Sequence, residues 1–147
     1  MVSDVVSEDE ARLDALQGHY EARRGTRAIP SWRDFDVVDL APWLGNLSLI
    51  EVVDDGVEFQ YRVMGTNIVN EIGFDMTGKR LSAIETDWRD GFMEELRGVV
   101  QRREAYRLTR TDRDRHRKHV VLRQLFLPLS SDGVAVDRLL VAGYFAR

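Results

Sequence analysis

The sequence predicts an α+β domain: a five-stranded antiparallel sheet with helices packed on one face and a helical extension at its N-terminus. Three observations predict it. The apolar period changes from helical to strand-like at Leu47, where LSLIEVV and VEFQYRVM flank Asp54-Asp55-Gly56. Glycines at 65, 73 and 78 then cut the chain into short pieces ahead of one amphipathic run. Three further strand-like runs follow, the last two separated by Asp132-Gly133. Two strands, a block of helices and three strands fit an antiparallel sheet with its helices inserted between the second and third strands. The length, 147 residues, and the 44% hydrophobic share suit one globular unit with a full core. Within it, residues 1–46 read as a helical extension packing on the core and residues 47–147 as the sheet domain.

The extension opens on a helix. Ser7 and Glu10 have capping-box spacing, and Leu13, Leu16 and Tyr20 share one face. Gly25 is the expected stop, with Arg23 and Arg24 at the end of the helix dipole that favours cations. Pro30 holds an extended entry to a second short helix, capped by Ser31 or Asp34 and carrying Phe35, Val38 and Leu40, which Pro42 ends or kinks. Trp32, Phe35, Trp43 and Leu44 are read as the seam between extension and core. A partner interface built from Leu13, Leu16, Tyr20, Trp32 and Trp43 is the alternative use of the same residues.

In the sheet domain, LSLIEVV is apolar at nearly every position, which predicts burial on both faces, and the N-terminal helix is the available cover. The next strand places Phe59, Tyr61 and Val63 on one face. It breaks at Gly65 into a short helix through Ile68, Val69 and Ile72. Gly65 is read as the sharp corner, Thr66 as the helix cap, and Asp75, Thr77 and Gly78 as a turn with a positive φ at the glycine. Trp88, Phe92, Leu96, Val99 and Val100 recur at helical spacing and predict the longest helix. Strands are then expected over Ala105–Thr111, His119–Leu129 and Asp137–Phe145, with Pro128 limiting pairing near the last turn.

These residues carry a family likeness. YRVMGTNIVNEIGFDMTGKRL resembles the small bacterial stand-alone PAS-type proteins that share the pattern FxYRxxGTxIVxxxGxDxTGxxL. The lead-in YEARRGTRAIPSWRDFDVVDLAPWLGNLSLIEVV and the tail segments LFLPLSSDG and VDRLLVAGYF are similar to the same family in the same order. The resemblance covers about Tyr20 to Phe145. It implies a PAS-like fold used in signalling as a sensor or protein-interaction module, without catalytic activity of its own, and it brings no fixed ligand. The basic run Thr109–Lys118 departs from the family pattern and leaves the length of that hairpin open.

Chemistry-bearing groups are sparse. Without cysteine there is no disulfide, thiolate nucleophile or Cys-ligated metal. His116 and His119 lie among Arg115, Arg117 and Lys118, a cationic setting that disfavours a metal, and His19 reads as a surface residue. Ser130-Ser131 has no histidine beside it in sequence, and no nucleophile elbow or phosphate-cradling glycine loop is present. No catalytic residue is therefore assigned, no metal site is expected, and the sequence requires no cofactor.

Charge is uneven under a net −4. Residues 1–55 hold twelve acids against five bases, and residues 102–123 hold nine bases against three acids. Arg107, Arg110, Arg113, Arg115, Arg117 and Lys118 define a basic hairpin over 107–118 for nucleic acid or an acidic partner. The overall acidity and the lack of interleaved aromatics argue against nucleic acid. The main expectation is a sensor with a small-molecule pocket between sheet and helices, lined by Tyr61, Val63, Ile68, Ile72, Phe92, Leu96 and Leu125. Its output would pass to a separate signalling protein or through a homodimer. The alternative is a ligand-free adaptor, for which removal of residues 1–25 leaves a folded core. The acidic start of the chain and the absence of a long apolar run lead to the expectation of a cytoplasmic protein with no membrane association.

Overall fold

The computed structural model describes residues 7–113 and 116–147. Helix α1 (Glu8–Arg24) starts where Ser7 Oγ accepts a hydrogen bond from Glu10 N at 3.1 Å and stops at Gly25, which adopts φ 61°. The Glu10 carboxylate faces Arg123 Nε at 3.4 Å instead of turning back to the cap. The second expected helix shrinks to one 3-10 turn, Trp32–Asp34, followed by non-repeating turns to Trp43. Here the capping box is complete: Ser31 Oγ accepts from Arg33 N, and Asp34 Oδ2 accepts from Ser31 N at 2.8 Å. That backbone bond, with the neighbouring Arg27, holds the Asp34 carboxyl below its ordinary pKa.

Strands β1 (Leu47–Val53) and β2 (Glu58–Met64) form the first hairpin. Its turn is left-handed at three successive residues, Asp54, Asp55 and Gly56, with φ of 52°, 58° and 88°. Aspartate tolerates that region better than most side chains, which is why two of them precede the glycine. Helix α2 (Thr66–Ile72), a 3-10 turn at Leu81–Ala83 and helix α3 (Arg89–Arg102) follow, then β3 (Tyr106–Arg113), β4 (His119–Leu129) and β5 (Arg138–Ala146). At 14 residues α3 is shorter than the 17-residue α1, which corrects the expected ranking of the helices.

All strand pairs are antiparallel, in the order β2-β1-β5-β4-β3. The β3–β4 ladder reaches Arg113 opposite His119, so the basic run extends the hairpin instead of interrupting it. Pro128 sits inside β4, opposite Leu139, two residues beyond Phe126, where the β3–β4 ladder ends opposite Tyr106. Its missing N–H therefore removes no bond to β3, and its carbonyl accepts from the Tyr20 hydroxyl at 2.8 Å.

Both sheet faces are covered. One packs Ile50, Phe59, Tyr61, Phe126, Leu139 and Val141 against α2, α3 and the 3-10 turn between them. The other packs Leu47, Leu49, Leu125, Leu127, Leu129 and Leu140 under Leu13, Leu16 and Tyr20 of α1. Continuous apolar runs in β1 and β4 are the sequence counterpart of this two-sided burial.

Glu58 ties β2 to the turn at Leu81–Ala83. Its carboxylate accepts from Phe59 N, from Ser82 N and from the Ser82 hydroxyl. Burial pushes its pKa up, but these bonds and nearby Arg80 outweigh burial and hold it below the ordinary glutamate value. A folded-state pKa below the unfolded value, about 4.3, means the stabilisation is present above that pH and is lost as pH falls through the folded value. The urea midpoint of the wild type should therefore exceed that of Glu58→Gln at pH 7, and the gap should close as pH drops below about 4. A gap that stays constant between pH 7 and pH 3 would refute this role for the carboxylate.

Candidate ligand-binding site

A cavity of about 370 Å³ opens between the sheet and helices α2 and α3, at the small end of the ~300–1,000 Å³ range of ligand pockets. Ladder register determines its floor. On β4, Val120, Leu122 and Gln124 project to one face, and their partners across β5 are Gly143 opposite Gln124 and Phe145 opposite Leu122. On β3, Arg110 lies directly opposite Leu122 and so joins the same face. Ile68 and Ile72 of α2, with Trp88 and Phe92 at the start of α3, form the other wall. Phe92 is anchored by its contact with Phe126, ring centroids 5.9 Å apart, and Phe126 in turn meets Tyr106 at 5.7 Å.

Gly143 makes the room. A Cβ at that position would stand 3.4 Å from Ile68 Cδ1 and 3.7 Å from Leu122 Cδ1, so anything beyond a methyl group grows into the cavity. Tyr61 contributes its ring, and burial pushes its hydroxyl far above the ordinary tyrosine pKa, so it is neutral. Among the described residues, three buried polar atoms on the lining have no hydrogen-bond partner: Thr86 Oγ1, Arg110 Nε and Gln124 Oε1.

Of the pocket residues expected from sequence, Tyr61, Ile68, Ile72 and Phe92 border this cavity. Leu96 is fully buried in the core and outside the lining. Val63 and Leu125 are corrections. The β1–β2 register moves from Ile50 opposite Tyr61 to Leu49 opposite Val63, leaving Arg62 as a bulge. That extra residue inverts the alternation, so Met64 is buried and Val63 is 52% exposed. Leu125 is one residue out of phase with Leu122 and Gln124 and packs beneath α1 on the opposite face.

The motif residues frame α2. Gly65 has an ordinary φ of −63°, so it is not needed for conformational freedom, and Thr66 makes no side-chain cap. The glycine is there because the backbone of Leu44 and Gly45 lies against its Cα. Gly73 at φ 102° closes the helix, Gly78 adopts φ 83°, and Asp75 Oδ1 accepts from both the amide and the hydroxyl of Thr77.

The expected interface residues are turned inward. Leu13, Leu16 and Tyr20 are buried, and Trp32 and Trp43 are partly buried against them. His19 is half-buried and not a surface residue, because its ring stacks on Trp43 with centroids 5.9 Å apart. The basic hairpin is likewise divided. Arg107 bonds Asp14 and Gln17 of α1, whereas Arg110 faces the cavity, so they do not share one surface. Arg115 lies outside the described residues.

Sequence reasoning missed Ser48, Thr86, Trp88, Arg110, Leu122, Gln124 and Gly143. Two carried a signal: Gln124 is a polar residue in phase with Val120, Leu122 and Phe126 of an apolar strand, and Gly143 interrupts the centre of RLLVAGYFA. Among the described residues, no group of three or more His, Asp or Glu is placed to hold a metal, and no helix is long and apolar enough to cross a membrane.

A five-stranded antiparallel sheet with short helices over one face and a cavity between them is the arrangement of a PAS-like domain. The chain belongs to the PAS domain family, whose model matches residues 9–143. No curated protein matches it in sequence. Solved structures share the fold. VqmA bound to DPO is 11% identical with a TM-score of 0.57, over 74% of this chain and 56% of that one. A light-oxygen-voltage domain studied with a flavin analogue is 15% identical with a TM-score of 0.53, over 76% and 84%. A sensory box sensor histidine kinase from Vibrio cholerae is 12% identical with a TM-score of 0.53, over 75% and 88%. The chain thus spans little more than half the length of VqmA. PAS domains are in general sensory modules and not enzymes.

Proposed function

We propose that this chain is a non-enzymatic PAS sensor that takes a small molecule between its sheet and helices α2 and α3. The observation that carries this reading is the cavity kept open by Gly143 in the middle of a central strand. A core built only for stability would fill such a gap, because interiors pack at near-crystalline density. VqmA, which shares the fold, is known with DPO bound. In this reading β4 is the transmitting element. Its Leu122 and Gln124 face the cavity, while Leu125 and Leu127 carry α1 on the reverse side. A ligand that shifts β4 is felt by the 1–46 extension, whose outer face passes the signal to a separate protein or to a second copy. Because Leu13, Leu16 and Tyr20 are used inside, any partner engages the solvent side of α1.

The test is a native mass spectrum of the chain purified from its own host, beside Gly143→Val. The wild type is expected to carry a bound small molecule that the variant, still folded, has lost. A bare wild-type mass sinks the sensor reading.

A further inference from the structure

The chemistry of the cavity narrows the class of ligand. Its walls combine apolar side chains such as Ile68, Ile72 and Phe92 with polar and charged ones, and three buried polar atoms on them lack partners among the described residues: Arg110 Nε, Gln124 Oε1 and Thr86 Oγ1. Gln124 is only 8% exposed, so water does not readily supply what its oxygen lacks. A buried donor or acceptor left unmade is costly, most of all on a charged group, and a site with such groups favours a ligand that completes them. Arg110 presents a cation that asks for an anion, and a guanidinium matches a carboxylate best. Gln124 Oε1 asks for a donor. Arg110 lies opposite Leu122 and Gln124 lies two residues further along the same strand. Such diagonal neighbours stand about 7–8 Å apart at the backbone, so the two groups enter the cavity from separate points and suit a molecule with an acid at one place and a donor at another.

Acidic residues at the mouth do not cancel this. Glu71 is held by both terminal nitrogens of Arg147, at 2.9 and 2.7 Å. Glu85 and Asp87 are exposed at the rim, where water screens them, and Arg113 and Arg117 stand at the same rim. The Arg110 Nε is inside, away from solvent.

We propose that the cavity binds a small amphipathic carboxylic acid bearing a hydrogen-bond donor, with the carboxylate on Arg110, the donor on Gln124 Oε1, and the apolar body against Ile68, Ile72 and Phe92. This inference rests on the sensor reading above and adds the ligand class. Thr86 supplies a hydroxyl that donates to the second carboxylate oxygen. Gly143 leaves the space that the flat body fills.

The probes are indole-3-acetate, its neutral isostere indole-3-acetamide, and 1-naphthaleneacetate, which keeps the acid and lacks the ring N–H. Each is titrated into the full chain while the Arg110 Nε–Hε and Gln124 side-chain amide NMR signals are followed. Indole-3-acetate is expected to shift both signals and to bind at least tenfold tighter than the acetamide. It is also expected to bind several-fold tighter than the naphthyl acid. Arg110→Gln should equalise acid and amide, and Gln124→Leu should equalise the indole and naphthyl acids, each variant keeping a dispersed spectrum. Equal binding of acid and amide to the wild type overturns the proposal and leaves the sensor reading in place, as does an acid preference that survives Arg110→Gln. The absence of any cavity shift with all three probes also overturns it, whereas the sensor reading is decided separately by the native mass spectrum. If Arg110→Gln fails to fold, Gln124→Leu alone decides, and an unchanged indole preference overturns the assignment.

Discussion

Gly65→Ala is expected to be among the most destabilising single-methyl changes in this chain. An ideal Cβ at residue 65 would lie 2.4 Å from the carbonyl oxygen of Gly45 and 2.6 Å from that of Leu44. These are backbone atoms, so no side-chain rotation relieves the overlap. The local chain is also held in place. Gly65 N donates to Leu47 O at 2.7 Å, and Gly65 O accepts from Val69 N at 3.0 Å, joining β1 to the first turn of α2. Moving residue 65 outward breaks the first bond and tilts the helix that walls the cavity. Forcing one methyl group into such a site costs about 3 kcal/mol or more, which for a chain of this size lowers Tm by roughly 10 °C. Gly18→Ala is the contrast. That glycine lies on exposed α1 with nothing within 4 Å of the added Cβ, and alanine there should raise stability by about 0.5–1 kcal/mol. Calorimetric melts of both variants check the pair. If Gly65→Ala melts within a couple of degrees of wild type, the close approach of residues 44–45 is not what the glycine serves.

The same glycine shows where the sequence stops being informative. Its position in the motif marked a corner, but its reason is contact with residues twenty positions earlier, and local pattern cannot display that. Strand alternation predicts the inward faces of Phe59 and Tyr61, and the Arg62 bulge then inverts it, because an inserted residue leaves no trace in a period-2 count. The long apolar runs revealed two-sided burial but not which residues meet which helix, hence the misplacement of Leu125. The order of elements followed from periodicity and turn residues, since these depend on near neighbours in the chain. The cavity depends on a glycine in β5, an arginine in β3 and a glutamine in β4 meeting on one face, and such a meeting exists only once the register is known.

Removing α1 is expected to abolish cooperative folding, although the sequence by itself suggested a core able to stand without residues 1–25. The packing argues otherwise. Leu16 is fully buried, and Leu13 and Tyr20 are nearly so, over Leu125, Leu127, Leu129 and Leu140. Polar contacts bind the same helix from three directions. Tyr20 donates to Pro128 O, Trp43 Nε1 donates to Arg12 O at 3.0 Å, and Arg107 reaches Asp14 and Gln17 at 2.6 and 2.7 Å. Stripping the helix would leave an apolar sheet face open to water and to other copies, a known aggregation hazard. The single substitution Leu16→Ala should already cost about 2–5 kcal/mol, a large part of the ~5–15 kcal/mol that holds a typical domain. Urea titrations should show a lowered midpoint for Leu16→Ala. Residues 26–147 alone should give a broad, non-cooperative transition with strong binding of a hydrophobic dye. A sharp two-state transition in the truncated chain would mean that α1 is a detachable arm, and signal transfer through β4 to α1 would lose its structural basis.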